Sequence, residues 1–268
     1  MPEDSREIEI ALLIRSGRPR EVADWVAALA AVGGYRLVPR ASQAIRDRYV
    51  DTPDRLLRRH RAGLRVREVD GRRLLTLKGE RRRGAPGEPA DRMEVELPWS
   101  AAALARVLEV LATLGVALPA PVAGVDDGDP FAALAAIGLE VVQDRSNRRR
   151  VRDVVAREED GGPALAELVV DSVRYAFHGR EALHHEVEVE AKAHCDPALL
   201  REVAGALRER FPGELVPWPH SKQATGAALE ALLGGPEADS LTGPGGDLEP
   251  EAYDRIARFL DEPMDAAR

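Results

Sequence analysis

Residues 47–68 read DRYVDTPDRLLRRHRAGLRVRE, and this stretch carries the pattern that decides the fold. Near its end, Arg65 and Arg67 alternate with two apolar residues. Side chains of a β-strand point alternately to the two faces of a sheet, so the pattern predicts a strand with one apolar and one cationic face. The DTPD sequence before it predicts a turn.

Three other segments show the same alternation of apolar and charged residues. Their charged residues are Glu7 and Glu9 in the first, Arg92, Glu94 and Glu96 in the second, and Glu186, Glu188 and Glu190 in the third. A row of glutamates repels itself unless a cation binds there. Clustered carboxylates suit Mg²⁺ or Mn²⁺, whereas arginine forks suit phosphate oxygens. These strands therefore predict a site with metal on an acidic side and polyphosphate on a basic side.

The remaining periodicity predicts an α+β protein with antiparallel strands and flanking helices. A hairpin is expected at Asp70-Gly71, the dipeptide favoured in a type I′ turn. The predicted strands are 6–14, 35–38, 44–50, 63–69, 72–79, 92–97, 139–144, 148–157, 164–172 and 186–193, and the predicted helices are 19–31, 100–114, 196–211 and 221–233. Residues 119–130 are predicted to form a loop.

The organisation along the chain predicts one main domain over residues 1–233. Residues 234–250 are rich in Gly, Pro and acidic residues and predict a flexible linker. Residues 251–268 predict a short helical tail. The adjacent His184 and His185 are expected in an exposed loop, and Trp25 is expected in the core.

Composition limits the partners of this 268-residue chain. Its net charge of −8 argues against nucleic-acid binding by global attraction. The polar start of the sequence and the short apolar runs predict neither a signal peptide nor a membrane span. The single cysteine, Cys195, fits a reducing compartment, so a cytoplasmic location is expected.

The order of the motifs resembles the CYTH domains, also called triphosphate tunnel metalloenzymes. The matching stretches are REIEI, DRYVDTPDRLLRRHRAGLRVRE, LLTLKG, DRMEVEL, RSNRRR, AELVVDSVRY, HHEVEVEAK and PHSK. The resemblance covers about residues 6–230. It implies an antiparallel eight-stranded β-barrel, the triphosphate tunnel, with flanking helices.

The resemblance also implies roles for individual residues. Lys78 and Glu9 are the expected catalytic residues. Phosphate is expected to bind Arg65, Arg67, Lys78, Arg92, Lys222 and one or more of Arg145, Arg148 and Arg150. Metal, either Mg²⁺ or Mn²⁺, is expected on Glu7, Glu9, Glu94, Glu96, Asp171, Glu186, Glu188 and Glu190, with the pair among the last three left open.

The function implied by the resemblance is metal-dependent hydrolysis of a triphosphate-bearing substrate: inorganic triphosphate, thiamine triphosphate or a nucleoside triphosphate. One position departs from the family pattern, because the lysine of its E-x-E-x-K motif is Ala11 here. Two alternatives therefore stand beside hydrolysis. The chain is a polyphosphate- or nucleotide-binding regulatory module with little turnover, or it is a class IV-like adenylate cyclase.

Overall fold

The computed structural model describes residues 5–82, 84–85, 87–119, 128–157, 162–193 and 195–262. Most of the predicted loop 119–130 and the end of the predicted tail lie outside these ranges. The strands are β1 (Ser5–Ile14), β2 (Ala31–Val32), β3 (Tyr35–Pro39), β4 (Gln43–Asp51), β5 (Gly63–Val69), β6 (Arg72–Lys78), β7 (Ala90–Pro98), β8 (Glu140–Ala156), β9 (Ala166–Phe177), β10 (Arg180–Ala191) and β11 (Leu215–Pro217).

Helices connect these strands. They are α1 (Pro19–Ala28), α2 (Leu56–Arg59), α3 (Ala101–Thr113), α4 (Pro130–Ala136), α5 (Pro197–Arg210), α6 (Lys222–Leu233) and α7 (Ala252–Asp261), with a 3₁₀ turn at Ala238–Ser240. Several begin at the residue that the sequence predicts, because Ser100, Asp196 and Ser221 each accept a hydrogen bond from a backbone N–H of the first turn. No helix in the described ranges has the length and apolar character needed to cross a bilayer.

The hydrogen-bonded strand order confirms the predicted antiparallel barrel. It runs β8-β4-β5-β6-β7-β1-β10-β9, and β9 pairs back onto β8, so eight strands form a closed circuit. The hairpin of β5 and β6 turns at Asp70-Gly71, both with positive φ (51° and 72°), as the type I′ turn requires. Strands β2 and β3 extend the sheet beside β8, and β11 pairs with β1.

The chain divides into two compact units. The first comprises residues 1–7, 43–82 and 91–146, and the second comprises residues 8–42, 83–90 and 147–268. In the first unit, the apolar faces of β5, β6 and β7 pack under α3 and α4 around Leu64, Leu75 and Leu104. The charged faces of these strands are consequently left on the side away from the helices.

The DTP motif of the first unit has a structural role. Asp51 Oδ1 accepts hydrogen bonds from the backbone N–H groups of Thr52 and Leu57, each at 2.8 Å. Its Oδ2 accepts from the backbone N–H of Arg58 at 3.1 Å, and Thr52 Oγ1 accepts from that of Leu56 at 2.8 Å. The motif therefore ties β4 to the first turn of α2 and satisfies N–H groups that a helix start leaves free.

The second unit repeats this arrangement. Helices α1 and α5 cover the apolar faces of β1, β9 and β10, with Val22, Leu200 and Val187 fully buried among them. Burial of so many large aliphatic side chains stabilises each helix–sheet contact by about 1.5–3 kcal/mol per side chain.

Residues 234–250, expected to be a flexible linker, are packed against the second unit. Leu241 and Leu248 are buried with Tyr253 and Ile256 of α7 in one apolar cluster. The backbone N–H of Leu183 donates to the carbonyl of Gly246 at 2.8 Å, and that of Leu248 donates to the carbonyl of Leu183 at 2.9 Å. The segment therefore packs against the second unit and pairs with Leu183 of β10 through one isolated β-bridge among the described residues, contrary to the sequence-based expectation.

Other differences concern the lengths of strands. The predicted strands 139–144 and 148–157 are one continuous strand, β8, and β10 begins six residues earlier than predicted. His184 and His185 consequently lie inside β10 and are buried, with 0% and 3% of their surface exposed, rather than in a loop. Trp25, expected in the core, is 41% exposed.

Candidate functional site

Strand register in the first unit brings basic side chains to one sheet face. Residues directly opposite each other in antiparallel strands point to the same side. Asp47 of β4 lies opposite Arg67 of β5, and Tyr49 lies opposite Arg65. Lys78 of β6 lies opposite Glu94 of β7. The cationic cluster, defined as Arg65, Arg67, Arg145 and Lys78, is thus built from the faces that the helices leave uncovered.

A buried carboxylate, Asp47, organises the guanidinium groups of this cluster. Arg67 donates from Nε to Oδ1 at 2.8 Å and from Nη2 to Oδ2 at 3.0 Å. Oδ2 also accepts from Arg145 Nη2 at 3.1 Å and from Arg65 Nη1 at 3.3 Å. Burial by itself would raise the pKa of Asp47, but the three arginines hold it well below its usual range. The cluster therefore keeps one fixed negative charge among its cations.

Tyr49 lies beside the same guanidiniums. Its hydroxyl accepts from Arg145 at 3.0 Å and from Arg65 at 3.3 Å. Burial would raise the pKa of Tyr49, yet the charges of Arg145 and Arg65 outweigh it and lower the pKa to about 8. The sequence did not predict a role in the site for Tyr49 or Asp47. Both lie two residues apart on β4, directly opposite Arg65 and Arg67 of β5.

The first of the family's glutamates, Glu7, also belongs to this unit. Lys78 Nζ donates to its two carboxylate oxygens at 2.8 and 2.9 Å, and Arg92 donates to Oε2. Burial opposes ionisation, but Lys78 and Arg92 hold the pKa of Glu7 well below its usual range. Glu94 lies 3.1 Å from Lys78 Nζ. Glu7 and Glu94, both predicted as metal ligands, thus pair with cationic side chains. Glu96, also a predicted metal ligand, accepts a hydrogen bond from the hydroxyl of Thr76 at 2.9 Å.

In the second unit, three buried carboxylates converge. Glu186 lies opposite Asp171 across β10 and β9, and Glu188 follows on the same face. Oxygen atoms of Asp171, Glu186 and Glu188, the carboxylate cluster, all lie within 4.8 Å of one another. Among the three glutamates left open by the sequence, the structure brings Glu186 and Glu188 into this cluster, and Glu190 is only partly buried at its edge.

Two cations lie against the carboxylate cluster. Lys222 Nζ is 2.9 Å from Asp171 and 2.7 Å from Glu188, and it contacts Glu186 as well. Arg149 donates to Asp171 from Nε at 2.9 Å and from Nη2 at 2.7 Å. Lys222 is held in place by the Ser221 helix cap and by Tyr175, whose hydroxyl donates to its carbonyl at 2.7 Å.

Burial and neighbouring charges affect the carboxyl groups of the cluster differently. Burial raises the pKa of Glu188 to about 8, and the charges of Glu9, Glu186 and Asp171 act in the same direction against Lys222. For Asp171 the burial effect is outweighed by Arg149 and Lys222, so its pKa lies far below the usual range. A further positive charge beside Glu188 and the buried Glu9 would therefore favour the ionised form of Glu188.

These residues suit a divalent ion by their chemistry. Carboxylate oxygens are the hard ligands that Mg²⁺ and Mn²⁺ prefer, and all three here are buried on β-strands. The ammonium of Lys222 already lies where the three carboxylates meet, which shows that the cluster accommodates a cation.

A chain of hydrogen bonds links Tyr253 of α7 through His184 to Glu186 of the carboxylate cluster. His184 donates from Nε2 to Glu186 at 2.6 Å, and its Nδ1 accepts from the hydroxyl of Tyr253 at 3.2 Å. On the other sheet face, His185 donates to Asp247 at 2.8 Å. Helix α7 and the segment before it therefore orient side chains of β10, a role that the sequence did not predict.

The basic run Arg145–Arg150 is divided between two faces of β8. Arg145 and Arg149 point to the charged side, where Arg145 joins the first unit's cluster and Arg149 the second's. Arg148 is exposed, and Arg150 donates to Asp24 of α1 on the helix-covered side. Arg148 and Arg150 were predicted phosphate ligands, but the structure places neither in a cluster, and Arg149 was missed.

Comparison with known proteins agrees with this architecture. The CYTH domain profile matches residues 26–210, more than half of the chain, so the chain belongs to the CYTH family. No curated protein sequence matches it.

Similar solved structures include one with a TM-score above 0.5, which shows the same fold. HpAC1 from Hippeastrum, provisionally described as an adenylyl cyclase and reported to have a dominant triphosphatase activity, is 19% identical with a TM-score of 0.57, covering 83% of this chain and 95% of HpAC1. A Bacillus halodurans protein, provisionally described as an adenylate cyclase, is 18% identical with a TM-score of 0.49, covering 81% and 95%. PH1819 from Pyrococcus horikoshii is 17% identical with a TM-score of 0.44, covering 85% and 98%.

Proposed function

We propose that this protein is a metal-dependent hydrolase that releases phosphate from a triphosphate-bearing substrate. The observation that carries the proposal is the carboxylate cluster, in which oxygen atoms of Asp171, Glu186 and Glu188 converge in a buried setting. Membership of the CYTH family and the fold shared with HpAC1, which has a dominant triphosphatase activity, support it.

The carboxylate cluster would hold Mg²⁺ or Mn²⁺ through Asp171, Glu186 and Glu188. A bound divalent ion would supply charge neutralisation for phosphate oxygens. Glu9, buried beside Glu188, would add a further carboxylate. Lys222 would turn from the carboxylates to the phosphate chain, because its flexible stem and three donors suit both.

The cationic cluster would bind phosphate oxygens. Arg65 and Arg67 present planar forks for bidentate contacts, and Asp47 keeps these forks oriented. Lys78, already 2.8 Å from Glu7, would fix the terminal phosphoryl group for attack by water. Such positioning, together with electrostatic stabilisation, accounts for most catalysis of phosphoryl transfer.

A direct test offers the purified full chain Mg²⁺ or Mn²⁺ with inorganic triphosphate, thiamine triphosphate or ATP. Released phosphate and heat of binding are measured together. We expect release of one phosphate per triphosphate, and loss of release in Glu188→Gln. The matched control is Glu181→Gln, on the same strand but 56% exposed and paired with Arg174, and it is expected to behave as the unmodified chain.

The alternatives predict different products. A binding module would show heat of binding with each metal but no phosphate release. This alternative is kept because Ala11 stands where the family motif has a lysine. A cyclase would convert ATP into a cyclic nucleotide and diphosphate. The hydrolase proposal fails if no phosphate is released from any of these triphosphates with either metal, whether or not they bind.

A further inference from the structure

Two glutamates of the carboxylate cluster each divide their oxygens between different partners. In Glu186, Oε1 contacts the ammonium of Lys222, and Oε2 lies 2.6 Å from His184 Nε2. In Glu188, Oε1 lies 2.7 Å from Lys222 Nζ, and Oε2 accepts from Arg149 at 3.3 Å. In both residues, one oxygen contacts the shared cation and the other is held by a side chain of the sheet.

The ring of His184 is held in one orientation. It is fully buried, and the rings of Tyr253, Tyr175 and Trp218 pack around it with centroids 5.7, 6.5 and 6.5 Å away. At the nitrogen that does not contact Glu186, Nδ1, the hydroxyl of Tyr253 lies 3.2 Å away. A ring packed among three aromatic side chains and hydrogen-bonded at both nitrogens cannot turn without breaking these contacts.

The carboxylate of Glu186 is the acceptor of its bond with His184. Burial would raise the pKa of Glu186, but Lys222 and His184 hold it below its usual range. Because an ionised carboxylate can only accept, Nε2 of His184 donates, and Nδ1 is left to accept from the Tyr253 hydroxyl. The Nε2 donor therefore competes with any cation for Oε2 and leaves Oε1 as the oxygen offered to the cluster.

A carboxylate that offers one oxygen favours one kind of divalent ion. Mg²⁺ requires near-ideal octahedral geometry at about 2.0–2.1 Å and keeps several of its waters. Ca²⁺ takes about 6–8 oxygens at about 2.3–2.6 Å and often uses both oxygens of one carboxylate. A glutamate with one oxygen held by a donor therefore suits Mg²⁺, whereas releasing that oxygen would favour Ca²⁺.

We propose that His184, fixed by Tyr253, is a positioning residue that makes Glu186 a single-oxygen ligand and biases the carboxylate cluster towards Mg²⁺ and against Ca²⁺. The bias comes from the orientation of one side chain. Tyr253, which supports that orientation, belongs to α7 and lies outside residues 26–210, the part of the chain that matches the CYTH profile. The role rests on the proposed function, because the ion is the one that the hydrolase would use.

The variant His184→Phe tests the proposal, because it keeps an aromatic ring but removes the donor. Calorimetric titrations of the full metal-free chain give the Kd for Mg²⁺ and for Ca²⁺, and the ratio of the Ca²⁺ value to the Mg²⁺ value measures the bias. We expect His184→Phe to weaken Mg²⁺ binding about 10-fold to 100-fold, the usual effect of losing a group that orients a metal ligand. Ca²⁺ should bind equally or more tightly, since Glu186 can then offer both oxygens, so the ratio should fall at least about 10-fold.

Two further variants separate the hydrogen bond from the packing of the ring. His184→Gln is the conservative variant, because its amide brings an N–H donor to about the reach of Nε2, and it should keep the ratio of the unmodified chain. His185→Phe is the matched control. His185 is the neighbouring histidine and is also buried, but it is hydrogen-bonded to Ser172 and Asp247, which lie outside the carboxylate cluster. The control should lose stability and keep the ratio.

Tyr253→Phe removes only the hydroxyl that fixes the His184 ring, and it decides the question if His184→Phe does not fold. We expect the ratio to fall about 2-fold to 10-fold, the equivalent of one neutral hydrogen bond. Tyr35→Phe is its control, because the Tyr35 hydroxyl donates to Glu202 at 2.7 Å on an exposed part of the surface. Thermal unfolding midpoints report the integrity of each variant.

Failure of the proposed function and failure of the His184 role give different results. If the unmodified chain binds neither ion, the metal-dependent function fails and the role fails with it. If it binds them and the ratio is unchanged in His184→Phe, or in Tyr253→Phe where His184→Phe does not fold, only the role of His184 is refuted. The role is also refuted if His184→Gln or His185→Phe lowers the ratio as much as His184→Phe does, because packing would then set the preference.

Discussion

Replacing Asp47 by asparagine tests how the cationic cluster is held together. The Asp47 carboxylate is 1% exposed and accepts hydrogen bonds from three arginines. The substitution Asp47→Asn keeps the shape of the side chain but removes its charge and one acceptor oxygen. Two of the guanidiniums, those of Arg65 and Arg145, are themselves 4% and 3% exposed. Water therefore cannot replace the lost charge.

The expected cost follows from this burial. Removing one partner of a buried ion pair costs about 3–5 kcal/mol, because the remaining charge is left without compensation. The amide oxygen of asparagine retains one acceptor, so we expect a loss near the lower end, about 3 kcal/mol in the free energy of unfolding.

Urea unfolding followed by circular dichroism at pH 7 measures this loss. Asp144→Asn is the matched control, because Asp144 also forms a two-point contact with an arginine, Arg46, yet their side chains are 41% and 53% exposed. An exposed pair contributes about 0–1 kcal/mol, so this control should lose less than about 1 kcal/mol. Inorganic triphosphate should stabilise Asp47→Asn more than the unmodified chain, because an anion can replace the missing charge.

The reasoning about Asp47 would be refuted by similar losses in the two variants. It would also be refuted if triphosphate stabilised Asp47→Asn less than the unmodified chain. Either result would mean that the arginines do not depend on this carboxylate for compensation.

The pKa of Asp47 lies below its unfolded value of about 3.9, so the stability that its charge provides should be complete above about pH 4 and decrease as the pH falls further. The difference in unfolding free energy between the unmodified chain and Asp47→Asn should therefore be smaller at pH 3 than at pH 7, and a larger difference at pH 3 would contradict this sign. Leu248→Ala should lower the free energy of unfolding by about 2–5 kcal/mol, measured in urea, because Leu248 is 2% exposed. The control Val38→Ala, at a position 39% exposed, should lower it by less than about 1 kcal/mol. Equal effects would show that residues 234–250 are not packed in solution. Ser100→Ala removes the helix cap of α3 and should cost about 0.5–2 kcal/mol, while Ser146→Ala, at an exposed strand position, serves as the control and should change unfolding by less than about 0.5 kcal/mol.

Local patterns predicted those parts of the fold in which neighbouring residues decide the structure. The alternation at Arg65 and Arg67 predicted β5, and Asp70-Gly71 predicted its turn, because a turn needing positive φ leaves a clear signature. The glutamates of β10 were likewise predicted to share a face. Each of these features depends only on the period of a strand or on the conformational freedom of a turn.

Features that depend on distant residues were not predicted. The composition of residues 234–250 indicated a linker, and only the structure shows that Leu248 finds an apolar cluster on the second unit. Arg149 was missed because a run of arginines hides the period of the strand. Counting in twos from Arg145 would have placed Arg149 on the charged face and Arg148 on the other.

The ammonium of Lys222 lies where the three carboxylates of the cluster meet, so the binding of another cation there would be an exchange. Nζ lies 2.7 Å from Glu188 and 2.9 Å from Asp171, so an arriving cation must displace it. A sodium or potassium ion would trade one unit of charge for another and gain little. A divalent ion brings a second charge to the same oxygens, so its attraction to them is about twice as large. Under the proposed function, the binding of a divalent ion at these oxygens would therefore release the Lys222 ammonium from them.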